Sequence, residues 1–150
     1  MSNGTVSYVN HATYGAQMGA TFDGRLKGTA YSDGCSPVQG RDTNGPTAMV
    51  KSLTSWDQSA FLGGMVVNMK LGKEQLDEEK IKNFIAVLKA FIARGGIEMQ
   101  VNVVDKETLL DALKNPDAHS DLLVRIGGYS DYFVRLTPTL QREVIERTQY

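Results

Sequence analysis

Apolar positions recur at helical spacing most clearly between Ile81 and Ile92. Ile81, Phe84, Ile85, Leu88, Phe91 and Ile92 make one stripe, which predicts an amphipathic helix with that stripe as its core face. Asp77 stands where an N-cap is needed, Glu78 and Glu79 complement the helix dipole, and Gly95 offers a left-handed stop. Beyond it the period changes to two. Ile97, Met99, Val101 and Val103 alternate with Glu98, Gln100 and Asn102, the pattern of a half-buried strand with an apolar inner face.

Other elements are shorter. Gly63-Gly64-Met65-Val66-Val67-Asn68-Met69-Lys70 reads as a buried strand entered through glycines. Asn44-Gly45-Pro46 starts a short helix through Met49 and Leu53, because proline at the first helical position gives up no hydrogen bond. A helix from about Lys106 to Lys114 ends before Pro116, which restricts its predecessor. Val124 to Ile126 and Tyr132 to Val134 are strand-like arms around a glycine pair. Thr137 then caps a final helix, opened by Pro138, that buries Leu140, Val144 and Ile145.

Residues 1 to about 45 look different: rich in glycine, serine, threonine and asparagine, they read as loops that need a host surface. The whole chain of 150 residues fits one modest domain. A net charge of −1 leaves no basic excess for nucleic acid, and no apolar run approaches the roughly 20 residues of a membrane span. Met1-Ser2-Asn3-Gly4 lacks the features of a secretory signal. One cysteine, Cys35, supports no disulfide framework, so a reducing cytoplasm is the expected location.

Most catalytic constellations are missing from the sequence. His11 and His119 stand far apart without a partner at ligand spacing, so ordinary surface or satisfied histidines are expected and no metal site. Glu74, Glu78 and Glu79 with Lys73, Lys80 and Lys82 form a mixed solvated face. Cys35, in Asp-Gly-Cys-Ser-Pro, reads as a small buried hydrophobe. A single cysteine holds no iron–sulfur cluster.

The remaining feature is Val124-Arg125-Ile126-Gly127-Gly128-Tyr129-Ser130. Gly-Gly-Tyr by itself marks a turn or bulge. The run as a whole, however, resembles the glycyl radical signature, and other segments match in order. Gln100 to Asp105, Glu107 to Ala112, Asn115-Pro116 and Leu122 to Arg125 are similar to the strand, helix and loop that precede the radical glycine. Phe22 to Arg25, Ser32 to Pro37 and Asp42 to Ala48 are similar to the end of the catalytic barrel. The resemblance runs from about Tyr8 to Thr148 and sits closer to the dehydratase, decarboxylase and lyase branches than to pyruvate formate-lyase.

That resemblance implies an α/β fold: the C-terminal part of a glycyl radical enzyme α/β barrel, with residues 1–70 barrel-like and residues 71–150 the glycyl radical domain with its loop and terminal helix. It makes Gly128 the radical store, with Arg125, Ile126, Gly127, Tyr129 and Ser130 supporting the loop. Glycine suits the role because a planar Cα radical is shared between amide nitrogen and carbonyl, and a Cβ would crowd it. Arg125 has two open readings, a pin for loop carbonyls or a solvent-facing strand residue. Tyr129 is expected to pack the loop.

The resemblance also implies what must come from elsewhere. A complete enzyme attacks its substrate through a cysteine loop, often Cys-x-Glu, and Cys35 lacks that context. A larger chain carrying the cysteine loop and an S-adenosylmethionine-dependent iron–sulfur activase are the implied partners, with no bound cofactor in this chain and an anaerobic setting. Three readings stay open. A split or truncated enzyme comes first, ahead of a spare part for oxygen-cleaved enzyme, because a spare part needs little of residues 8 to 70; a non-radical docking or regulatory module is the third.

Overall fold

The structure, a computed structural model, describes residues 10–61, 65–73 and 77–150. Its elements are α1 (Asn10–Gln17), α2 (Gly45–Leu53), β1 (Val66–Leu71), α3 (Glu78–Ala93), β2 (Glu98–Val103), α4 (Lys106–Lys114), β3 (Leu123–Arg125), β4 (Ser130–Tyr132) and α5 (Pro138–Glu146). Helix and strand thus mix as expected for the α/β class, while α1 lies in the stretch read as loops.

β1 and β2 pair in parallel, Val66 opposite Glu98 and Leu71 opposite Val103. Parallel strands need a long crossover, and α3 supplies it. The other edge of β1 takes the C-terminal tail: Tyr150 N–H donates to the Lys70 carbonyl at 3.1 Å, and Gly72 N–H donates to the Tyr150 carbonyl at 3.2 Å. With both edges covered, all six residues of β1 are buried. β3 and β4 form an antiparallel hairpin, Arg125 opposite Ser130.

The caps follow the sequence. Asp77 accepts the Lys80 N–H at 2.8 Å, Gly95 adopts φ +86°, and Thr137 accepts the Leu140 N–H at 3.5 Å. Asn44 precedes α2 without a side-chain cap bond. Gly63, Gly64 and Glu74 lie outside the described residues. The second hairpin arm ends at Tyr132, and Phe133–Arg135 form a single 3-10 turn that buries Phe133.

Two apolar clusters form the core. One lies under the hairpin, where Val124 and Ile126 meet Leu109 and Ala112 of α4 and Val144 and Ile145 of α5. The other joins Met49 and Val50 of α2, Val67, Met69 and Leu71 of β1, and Phe91 of α3, with half-buried Cys35 packed against it.

Two expectations about burial hold only in part: Phe84 and Phe91 of the α3 stripe, and Met99 and Val101 of β2, pack on the second cluster. On α3 only Phe91 is buried, while Ile81, Ile85 and Ile92 are 39%, 43% and 69% exposed. The helix has 16 residues and α2, packed against it, has 9, so α2 is too short to cover the stripe. On β2 both faces are covered: Met99 and Val101 are partly buried against the second cluster, Gln100 and Asn102 are each 6% exposed, and only Ile97, before the strand, and Val103, at its end, stand out at 50% and 42%. The polar face is the more deeply buried because Gln100 and Asn102 bond the hairpin.

Candidate functional site: the glycine hairpin

The turn between β3 and β4 is closed by the Ile126 N–H donating to the Tyr129 carbonyl at 3.0 Å. Within it Gly127 is buried and Gly128 exposed. Gly128 has φ +84°, a conformation glycine reaches at no steric cost and a side chain rarely adopts.

Side chains from two other places hold this turn. Gln100 Oε1 accepts the Gly128 N–H at 3.0 Å. Asn102 uses both ends of its amide on one residue, accepting the Arg125 N–H at 2.6 Å and donating to the Arg125 carbonyl at 2.7 Å. It pairs with Arg125 as a neighbouring strand would, and so stitches the hairpin to β2. From the end of α5, Arg147 donates to the Arg125 carbonyl at 3.1 Å and to the Ile126 carbonyl at 3.0 Å. The reading of a guanidinium pin therefore describes Arg147. The Arg125 guanidinium reaches Ser130 Oγ at 3.3 Å in an exposed position, because the carbonyls in need of a donor face α5. Tyr129 is 38% exposed over the turn, and Ser130 is exposed.

Arg147 is itself held by buried carboxylates, Asp33 at 2.9 Å and Glu143 at 3.0 Å. Glu143 in turn meets His11 Nε2 at 2.5 Å, and Asn68 donates to Asp33. All five residues are buried. Burial lifts the Asp33 carboxyl above its usual range, the Arg147 charge offsetting only part of that cost. Burial acts on Glu143 too, but its bond to His11 and the Arg147 charge prevail and hold it below the usual range. His11 is thus the satisfied kind of histidine: α1 carries it to a partner, Glu143, 132 positions away. His11, Asp33 and Glu143 offer ligand atoms within 4.8 Å of one another; the cation between the two carboxylates is the Arg147 guanidinium.

The C-terminal tail carries further ties. Tyr150 Oη donates to Asp42 at 2.5 Å, and Thr148 Oγ1 bonds the same carboxylate. Lys70 is buried in β1 and donates Nζ to the Ile145 carbonyl at 2.9 Å, at the C-terminal end of α5. Burial, with the nearby Lys106 and Arg147 charges, pushes its pKa down to about 8.

Sequence reading missed Gln100, Asn102, Arg147, Asp33, Glu143 and His11 as a group. Two local signals were present. Gln100 and Asn102 sit two apart, on one face of a strand, and Glu143 and Arg147 sit four apart, at the spacing of a helical ion pair. Nothing local ties His11 or Asp33 to them.

Comparison with known proteins agrees with the hairpin. The family described as glycine radical matches residues 31–134. The trans-4-hydroxy-L-proline dehydratase of Clostridioides difficile is 42% identical over 140 residues, covering 93% of this chain and 18% of that protein. The 4-hydroxyphenylacetate decarboxylase glycyl radical subunit of Clostridioides difficile (strain CD196) is 42% identical over 147 residues, covering 97% of this chain and 16% of that one. The solved B12-independent glycerol dehydratase from Clostridium butyricum superposes with a TM-score of 0.89 at 34% identity, over 94% of this chain and 18% of its own. The chain thus spans less than a fifth of the length of these relatives. With a family match across more than half its residues, and the glycine hairpin inside the matched region, the chain belongs to the glycine radical family, whose members include dehydratases and decarboxylases.

Proposed function

We propose that this chain stores a glycyl radical on Gly128 as the C-terminal subunit or fragment of a glycyl radical enzyme with lyase-type chemistry, of the kind its dehydratase and decarboxylase relatives are named for. The observation that carries the proposal is Gly128 itself: an exposed glycine at φ +84°, at the tip of a hairpin whose base is fixed by Asn102 and Arg147. A rigid base with an open tip suits a residue that must meet one group that takes its hydrogen and another that receives the radical. Residues 1–70 are the end of the catalytic barrel and residues 71–150 the radical domain in this reading. Arg125, Ile126, Gly127, Tyr129 and Ser130 shape the loop around the radical.

A larger partner chain supplies the cysteine that becomes the thiyl radical, and an S-adenosylmethionine-dependent iron–sulfur activase takes the hydrogen atom from Gly128. Cys35 serves packing, its side chain set against the β1 and α2 cluster. Relatedness across residues 31–70 as well as the hairpin favours an enzyme part over a spare part that replaces only the radical loop.

Oxygen sensitivity provides the test. After activation with the partner chain, exposure to air is expected to cut the backbone at Gly128 and release a short C-terminal peptide, identified by mass spectrometry. Gly128→Ala should stay whole and Cys35→Ser should be cut as the parent is. Cleavage elsewhere, or in Gly128→Ala, refutes the assignment.

A further inference from the structure

The buried polar face of β2 places more than a structural tie at Gly128. Glu98, Gln100 and Asn102 share that face by the two-residue period of a strand. Asn102 grips the base of the hairpin, while Gln100 touches the amide of Gly128 itself. Gln100 has a fixed orientation, because its Nε2 donates to Glu98 Oε1 at 2.6 Å. A carboxylate only accepts, so the amide nitrogen faces Glu98 and Oε1 faces Gly128. The result is one polarised line: Glu98 carboxylate, Gln100 amide, Gly128 N–H.

The chemistry of a glycyl radical gives that line a use. An alkyl radical supplied by the activase takes one hydrogen atom from the Gly128 Cα; one C–H bond breaks, another forms, and one unpaired electron stays behind. That electron is shared between an acceptor, the Gly128 carbonyl, and a donor, the Gly128 amide nitrogen. An acceptor drawing on the N–H enriches the nitrogen and strengthens its donor role. Hydrogen bonds in a chain polarise one another, so a carboxylate on the far end of Gln100 makes its Oε1 the stronger acceptor.

The geometry points to Gln100 as the group that tunes the Gly128 radical through its amide nitrogen, with Glu98 as the positioning residue behind it. This rests on Gly128 being the radical site. It goes beyond storage by naming the groups that set where the electron resides, and so how readily it leaves for the cysteine.

The test labels glycine with nitrogen-15, activates the chain with its partner, and reads the Gly128 nitrogen hyperfine coupling by electron–nuclear double resonance. Gln100→Leu removes the acceptor, and Glu98→Gln keeps the Gln100 contact while removing the charge. The nitrogen coupling should fall in both, further in Gln100→Leu, as the α-proton splitting grows. An unchanged coupling overturns the inference; if Gln100→Leu yields no folded radical protein, Glu98→Gln decides alone. A second readout needs no radical: in the unactivated chain the Gly128 amide proton should move upfield in Gln100→Leu. If that shift appears and the parent forms no radical, the storage reading has failed while the contact stands; if the shift is absent, the contact and this inference fall.

Discussion

The glycine hairpin and the outer face of α3 show opposite treatments of polarity. Around the hairpin, polar side chains are buried and each is spent on a defined partner: Gln100 on Gly128, Asn102 on Arg125, Arg147 on two carbonyls and two carboxylates. On α3, apolar side chains stand in solvent, with Ile92 69% exposed. The first region finds these partners among the described residues of the chain. Exposed apolar surface of the second kind marks a contact site, which fits a chain spanning less than a fifth of its relatives.

The sharpest way to break this contrast is to remove Arg147. Arg147→Leu leaves Asp33 and Glu143 buried without their shared cation, and two loop carbonyls lose a donor. Breaking a buried pair in this way costs about 3–5 kcal/mol, measured by denaturant unfolding of the full chain. A mutant as stable as the parent shows that the network holds nothing.

Asn102→Leu should cost less, about 2 kcal/mol, since it strands the Arg125 N–H while Arg147 still serves the carbonyl. Amide exchange at Arg125 should quicken with it, and unchanged protection there contradicts the stitch between β2 and the hairpin.

Lys70 gives a pH dependence whose sign is fixed. Its folded pKa, about 8, lies below the usual lysine value, so between pH 8 and 10 the unfolded chain binds the extra proton. Stability should therefore rise with pH across that window, on the order of 1–2 kcal/mol, and Lys70→Met should flatten the rise. Above pH 10 Tyr150 works the other way, because burial and the Asp42 bond raise its folded pKa and ionisation then favours the unfolded chain. A flat profile in the parent contradicts the burial of a charged Lys70.

The smallest effect belongs to α3. Ile85→Lys and Ile92→Lys should change the stability of the chain by less than about 0.5 kcal/mol, yet reduce self-association in analytical ultracentrifugation and weaken capture of the partner chain. A loss of several kcal/mol places these residues in a core, as the helical period alone suggested.

Much of the fold was legible because its signals are local. Asp77 and Thr137 cap helix starts with their own side chains, Gly95 and Pro138 act through their own backbones, and the glycine hairpin carried its own signature. Burial was not legible where it depends on distant partners. The alternation on β2 is real, but how deeply its polar face is buried depends on the hairpin waiting 20 or more residues later: Asn102 and Arg125 are 23 apart. The α3 stripe is also real, but among the described residues only its Phe91 is buried, because α2 is too short to cover the rest. Arg125 attracted the role of Arg147 because it is adjacent in sequence, while Arg147 reaches the loop only through the fold of α5.

The central claim is that Gly128 holds the unpaired electron. Activated under anaerobic conditions with S-adenosylmethionine, reductant, activase and the partner chain, the protein should give an organic radical signal split into a doublet by the one remaining α-hydrogen. Glycine deuterated at Cα should collapse that doublet, and Gly128→Ala should abolish the signal. A doublet that survives deuteration, or a signal that persists unchanged in Gly128→Ala, contradicts the account.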